Sequence, residues 1–199
     1  GYQVPDASMR QAINNLRNRA NYATEPQHAS AEESAALAYA LMVLARERAA
    51  TVGDLRYYAD TVPEAFATPM AAANLGAALA SYGDQARADR MFRQAGGQID
   101  LNVKEPYRYR PDYGTSLRDA AATLTLAASA GSQAIDTTKL TSAVAERIAR
   151  AEQAGRSLST QDSIWTVLAA RALSQSVPPA ALNGVTLGQP VTSLPDASA

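Results

Sequence analysis

Helical segments of two kinds alternate along this chain, and that alternation constrains its fold more than any other feature. One kind carries a single apolar stripe. Met9, Ile13, Leu16 and Ala20 line one face of the first segment, with Asn, Arg and Gln on the others. The other kind is apolar nearly all round. Leu37, Tyr39, Leu41, Val43 and Leu44 leave the second segment with no polar face, so it must be buried. Two layers of helices satisfy such a pattern, with an inner layer covered on both sides and an outer layer covered on one. The expected fold class is therefore all-α. The expected architecture is a partial α/α toroid of antiparallel hairpins with about eight helices, or else a helical solenoid.

Boundary signals mark the segments. The first runs from about Asp6 to Asn21. Ser30 and Glu33 form a capping box for the second, which extends to about Ala49. Asp54 opens a short third helix that stops before Pro63. Thr68 and Pro69 start the fourth, which Gly83 ends. Asp84 caps the fifth, whose stripe is Ala88, Met91, Phe92 and Ala95. A polar and aromatic connection, Gly96 to Gly114, leads to the sixth, about Thr115 to Ala130. The seventh spans about Thr137 to Ala154, and the eighth begins near Thr160 with Ile164, Trp165, Val167, Leu168 and Leu173. The tail then changes character. Asn183-Gly184 followed by Val185, Leu187 and Val191 predicts a turn with short strands. Residues 1–176 are thus expected to be the C-terminal portion of a toroid domain. Residues 177–199 are expected to be a linker and the start of a β-rich neighbour within a longer chain, or else an ordinary flexible tail.

Composition narrows the function. Apolar residues make up 47% of the sequence, with alanine the commonest of them, one Trp and two Phe. Alanine favours helices and lets their backbones approach closely. Lys plus Arg is 18 and Asp plus Glu is 19, so no net positive charge favours nucleic acid. No basic amphipathic helix points to a membrane surface. The absence of cysteine removes disulfides, thiol nucleophiles and cysteine metal sites.

Candidate chemistry is sparse. His28 is the single histidine, and a metal there would need several carboxylates beside it; the plainer reading is a solvated loop residue. No metal or cofactor is expected. Asp112, Asp119 and Asp162 stand near the starts of inner helices. Two such carboxylates could flank a glycosidic bond at about 5–9 Å. Acidic residues are also favoured in a first helical turn by the helix dipole. Tyr107, Tyr109, Arg110 and Tyr113 form a candidate interaction loop that could stack on a ligand, or simply pack across helix ends. Leu75-Gly76, Gly83, Ala88 and Phe92 match part of a tetratricopeptide pattern. Ala72 stands where its Trp belongs, and no second copy follows, so a close-packed hairpin is the expectation.

Several segments together resemble the bacterial alpha-2-macroglobulin family, specifically its helical thioester-type domain. They are Gly1-Tyr2-Gln3-Val4-Pro5-Asp6, the run Ala38 to Arg46, Gly53-Asp54-Leu55-Arg56-Tyr57, the run Leu75 to Asp84, Tyr113-Gly114-Thr115-Ser116-Leu117-Arg118-Asp119-Ala120, and Leu158-Ser159-Thr160-Gln161-Asp162-Ser163. The resemblance implies an α/α toroid within a large periplasmic protein, with a membrane anchor upstream left open. It implies a non-enzymatic inhibitor that traps proteases after they cleave a bait region. The implied partners are proteases and other domains of the same chain. The family's Cys and Glu-Gln thioester motif is not in this sequence, so an upstream thioester and a branch without one both stay open. No catalytic residue carries over. The resemblance implies structural roles for Tyr113, Gly114, Arg118 and Asp119 as a turn and cap. Thr160 and Gln161 are expected to cap the last helix. A helical-repeat scaffold and an (α/α)-barrel carbohydrate enzyme are the competing readings.

Overall fold

A computed structural model describes residues 3–99 and 112–176, together with the backbone of two short strands beyond them. The helices are α1 (Asp6–Asn21), α2 (Ala31–Arg46), α3 (Val52–Thr61), α4 (Pro69–Ser81), α5 (Gln85–Gln98), α6 (Ser116–Ser129), α7 (Thr137–Gln153) and α8 (Thr160–Ser176). Short 3-10 turns at Pro26–His28 and Pro63–Ala65 lead into α2 and α4. The strands β1 (Ala181–Leu182) and β2 (Val185–Thr186) pair antiparallel, with Leu182 opposite Val185. The protein is all-α, as its pattern predicts.

The apolar helices form one row. α2 packs on α4, α4 on α6 and α6 on α8, while α1, α5 and α7 lie against α2, α4 and α6 respectively and α3 bridges α4 and α5. Polar bonds at both ends show that neighbours in the row run in the same direction. At one end the Tyr82 hydroxyl donates to Ala50 O at 2.8 Å, joining the ends of α2 and α4. At the other, residues at the starts of α6 and α8 bond directly. α4 and α6 are buried along almost their whole length. One apolar cluster joins α2 to α5, a second joins α6 to α8, and Ile135 and Trp165 touch both.

Small residues set the spacing. A Cβ on Gly76 would lie 3.2 Å from Ala88 O and 3.3 Å from the Phe92 ring, so α4 and α5 meet where a side chain hardly fits. That is the close-packed hairpin expected of the Leu75 to Phe92 segment.

Several boundaries differ from the sequence reading. α2 stops at Arg46 rather than Ala49 because Arg48 takes a left-handed conformation, φ 56°, and closes the helix. The amide of Ala49 reaches Leu44 O at 2.7 Å, the long bond of a Schellman cap. The Arg48 guanidinium then bonds Ser81 O at 2.6 Å and lies over the Tyr82 ring. α3 begins at Val52, so Asp54 sits inside its first turn. α5 continues through Gly96 and Gly97 to Gln98, and Gly96 faces the partly buried Ile135. Asp84 occupies the N-cap of α5 but makes no side-chain cap bond; it pairs instead with Arg56 and Arg87. α8 is not covered on both sides: Ile164, Val167 and Leu168 are 52%, 67% and 37% exposed.

Candidate functional site

The densest polar cluster lies where α6 and α8 begin. Thr115 caps α6, its hydroxyl accepting from the Arg118 amide at 3.0 Å. The same hydroxyl donates a short hydrogen bond to Asp162. Asp162 in turn accepts from the Ser159 amide at 3.1 Å and hydroxyl at 2.7 Å, while its own amide donates to Ser159 Oγ at 3.1 Å. One chain of bonds thus caps both helices. The cap of α8 is Ser159 with Asp162, not Thr160 and Gln161. Ser-x-x-Asp supplies the reciprocal pair that a capping box needs.

Arg118 forms the centre of the cluster. Its side chain is 6% exposed and that of Asp119 is 4% exposed. The guanidinium donates to Asp119 Oδ1 at 2.7 and 3.0 Å, to Asp112 Oδ2 at 2.6 Å, to Asp112 O at 3.1 Å and to Gln161 Oε1 at 3.0 Å. A planar fork suits this many acceptors, and burial makes each bond matter. Gln161 therefore serves as an acceptor that ties α8 to Arg118 rather than as a cap. Asp112 also accepts from the Gly114 amide at 3.0 Å, closing a tight turn in which Tyr113 has φ 51°. A Cβ on Gly114 would fall 2.2–2.8 Å from guanidinium atoms, so only glycine leaves room for Arg118.

The three carboxylates singled out in the sequence do gather at one end of the fold. Each is engaged: Asp112 and Asp119 by Arg118, and Asp162 by two helix caps. This chemistry locks a loop to two helices. Tyr113 presents its ring to solvent, 72% exposed, at the edge of the cluster. Tyr107, Tyr109 and Arg110 lie outside the described residues. His28 is an exposed residue of the first 3-10 turn. No group of three potential metal ligands occurs among the described residues. None of their helices is long and apolar enough to cross a membrane. Sequence reasoning missed the Ser159 cap and the bridging role of Gln161. The Ser-x-x-Asp spacing signals the first; nothing in the local sequence signals the second.

A second ion-pair cluster clamps α3 to α5. Asp60 meets Arg87 at 2.8 Å and also pairs with Arg90, while Asp84 meets Arg56 at 2.8 Å and Arg87 at 3.1 Å. Hydrogen bonds from Arg87 and Arg90 hold the Asp60 carboxyl below the usual aspartate value. Burial works to raise Asp84, yet the hydrogen bonds from Arg56 and Arg87 outweigh it and the net shift is downward.

The fold and this cluster define an all-helical domain built from a row of capped, parallel inner helices. No family model and no curated protein sequence matches the chain. Solved structures do. The native conformation of Escherichia coli alpha-2-macroglobulin is 28% identical with a TM-score of 0.67, covering 87% of this chain and 11% of its own. Salmonella alpha-2-macroglobulin reacted with methylamine is 28% identical with a TM-score of 0.67, covering 86% of this chain and 11% of its own. The E. coli protein activated by porcine elastase is 27% identical with a TM-score of 0.65, covering 89% of this chain and 16% of its own. The chain thus spans only about a tenth to a sixth of those proteins. The likenesses bear out the resemblance carried by the sequence motifs: this chain is consistent with a domain of the bacterial alpha-2-macroglobulin family.

Proposed function

We propose that the chain is part of the helical thioester-type domain of a periplasmic alpha-2-macroglobulin-like inhibitor. The whole protein would trap proteases after its bait region is cut. The observation that carries the reading is the likeness over 87% of the chain at 28% identity. The elastase-activated E. coli relative supports a protease as the partner. On this reading residues 1–176 form the C-terminal portion of an α/α toroid, and residues 177–199 lead into the next, β-rich domain. The exposed Tyr113 would then contact other domains of the same chain. These residues contribute no catalytic group and, lacking cysteine, no thioester sulfur.

The test uses the full-length protein. A broad-specificity protease should change its electrophoretic mobility and make it more compact in solution scattering. Plain degradation without compaction would refute trapping. Methylamine separates the two branches of the reading, because an intact thioester gains one methylamine per chain by mass spectrometry and a branch without it gains none.

A further inference from the structure

α8 is the most thinly held helix of the inner row. It packs on α6, yet among the described residues the apolar side chains it buries are Ala169 and Ala172. By contrast α4 buries Leu75 and Leu79 completely, and α6 buries Leu124 and Leu126 almost so. A methyl group removes little area from water, so apolar packing gives α8 a weak grip. Trp165 and Leu173 add partly buried contacts.

The strong polar bonds to the body sit at the first turn of α8. Gln161 accepts from Arg118 Nη1 at 3.0 Å, and Asp162 accepts from the Thr115 hydroxyl. One partner in each is charged, which makes such bonds stronger than neutral ones. Further along, the Thr125 hydroxyl reaches Trp165 O only at 3.5 Å, beyond the usual length of a hydrogen bond. Arg118 and Thr125 mark one stripe of α6, with Ala121 between them at helical spacing. We infer that α8 is a leaf that leaves this stripe of α6 as one unit while the rest of the inner row stays folded. The bonds at Gln161 and Asp162 are the latch that sets how often it opens. Local opening of this kind occurs in elements with few buried apolar contacts, at a lower free energy than global unfolding. The latch shares its guanidinium with the Asp112 turn, so the turn and the leaf are joined through Arg118.

The chain has no cysteine, so a single introduced thiol can be followed without background. Ala169→Cys and Ala172→Cys place it under α8, and Ala78→Cys places it in α4, where Ala78 is fully buried. Cysteine is a small apolar replacement for alanine. The 199-residue variants are labelled with a disulfide reagent at several low urea concentrations. The two α8 thiols should react at equal rates, about tenfold or more faster than the α4 thiol. Their rates should also depend less on urea, because the opening exposes less surface than global unfolding. Adding Gln161→Ala removes one acceptor from a charged donor and should speed both α8 thiols about tenfold. A rate for Ala169→Cys that matches Ala78→Cys in size and urea dependence would overturn the leaf. Fast reaction of Ala172→Cys alone would do the same, since it reports fraying of the helix end. An unchanged rate with Gln161→Ala would overturn the latch.

Discussion

Arg118 shows how much of the α6–α8 junction depends on one side chain. Its charge is buried, and burial of a charge is tolerable only with partners in good geometry. Asp112, Asp119 and Gln161 supply them from a turn, a helix and a neighbouring helix. Arg118→Met should therefore destabilise the chain by about 3–5 kcal/mol in urea unfolding. Arg118→Lys keeps the charge but cannot make the forked contacts, so it should recover only part of the loss. Gly114 belongs to the same arrangement. Alanine there would push on a guanidinium that is held by five hydrogen bonds and has nowhere to retreat. Gly114→Ala is expected to cost about 2 kcal/mol or more, in the range of core overpacking. A neutral result would mean that the fork shifts freely. A turn and cap at Tyr113, Gly114, Arg118 and Asp119 was implied by the family resemblance. The buried pairing was not, because Gln161 approaches from a helix 43 residues away.

Helices assemble here through their ends as much as through their faces. The capping box at Ser30 was legible because both of its bonds lie within four residues. Asp84 was misread for a different reason. It stands at an N-cap, but its partners Arg56 and Arg87 offer charge, and a guanidinium outcompetes a backbone amide for a carboxylate. The Asp84 carboxyl is held below its unfolded value, so its contribution is present above the ordinary aspartate pKa. That contribution is lost as pH falls through the lower, folded value. Asp84→Asn should thus lower stability at neutral pH and flatten its decline below about pH 4. Chemical denaturation across that window checks it; an unchanged slope would assign the acid sensitivity to other carboxylates. The α4–α5 contact sits at the same scale. Gly76→Val must push Ala88 and Phe92 of α5 away from α4, and Phe92 is fully buried. A loss of about 1–3 kcal/mol is expected from overpacking.

At the scale of the molecule, the alternation of stripes and apolar helices predicted the row of α2, α4 and α6 but failed at α8. An apolar sequence states that a helix can be buried on two sides. It does not count the neighbours available to bury it. α8 has α6 on one side, so Ala169 and Ala172 are covered while Ile164, Val167 and Leu168 face solvent. Three large apolar groups at i, i+3 and i+4 on one face form the kind of stripe that associates in water. The 199-residue chain should therefore self-associate with rising concentration and bind a hydrophobic dye. Val167→Glu should reduce both effects without lowering the urea midpoint, because the side chain it replaces is 67% exposed. Sedimentation velocity at two concentrations separates the outcomes. If the variant associates as the parent does, the contact lies elsewhere, with Tyr39 on α2 the next exposed candidate. If it stays monomeric and equally stable, the apolar face of α8 is an interaction surface that the fold itself does not require.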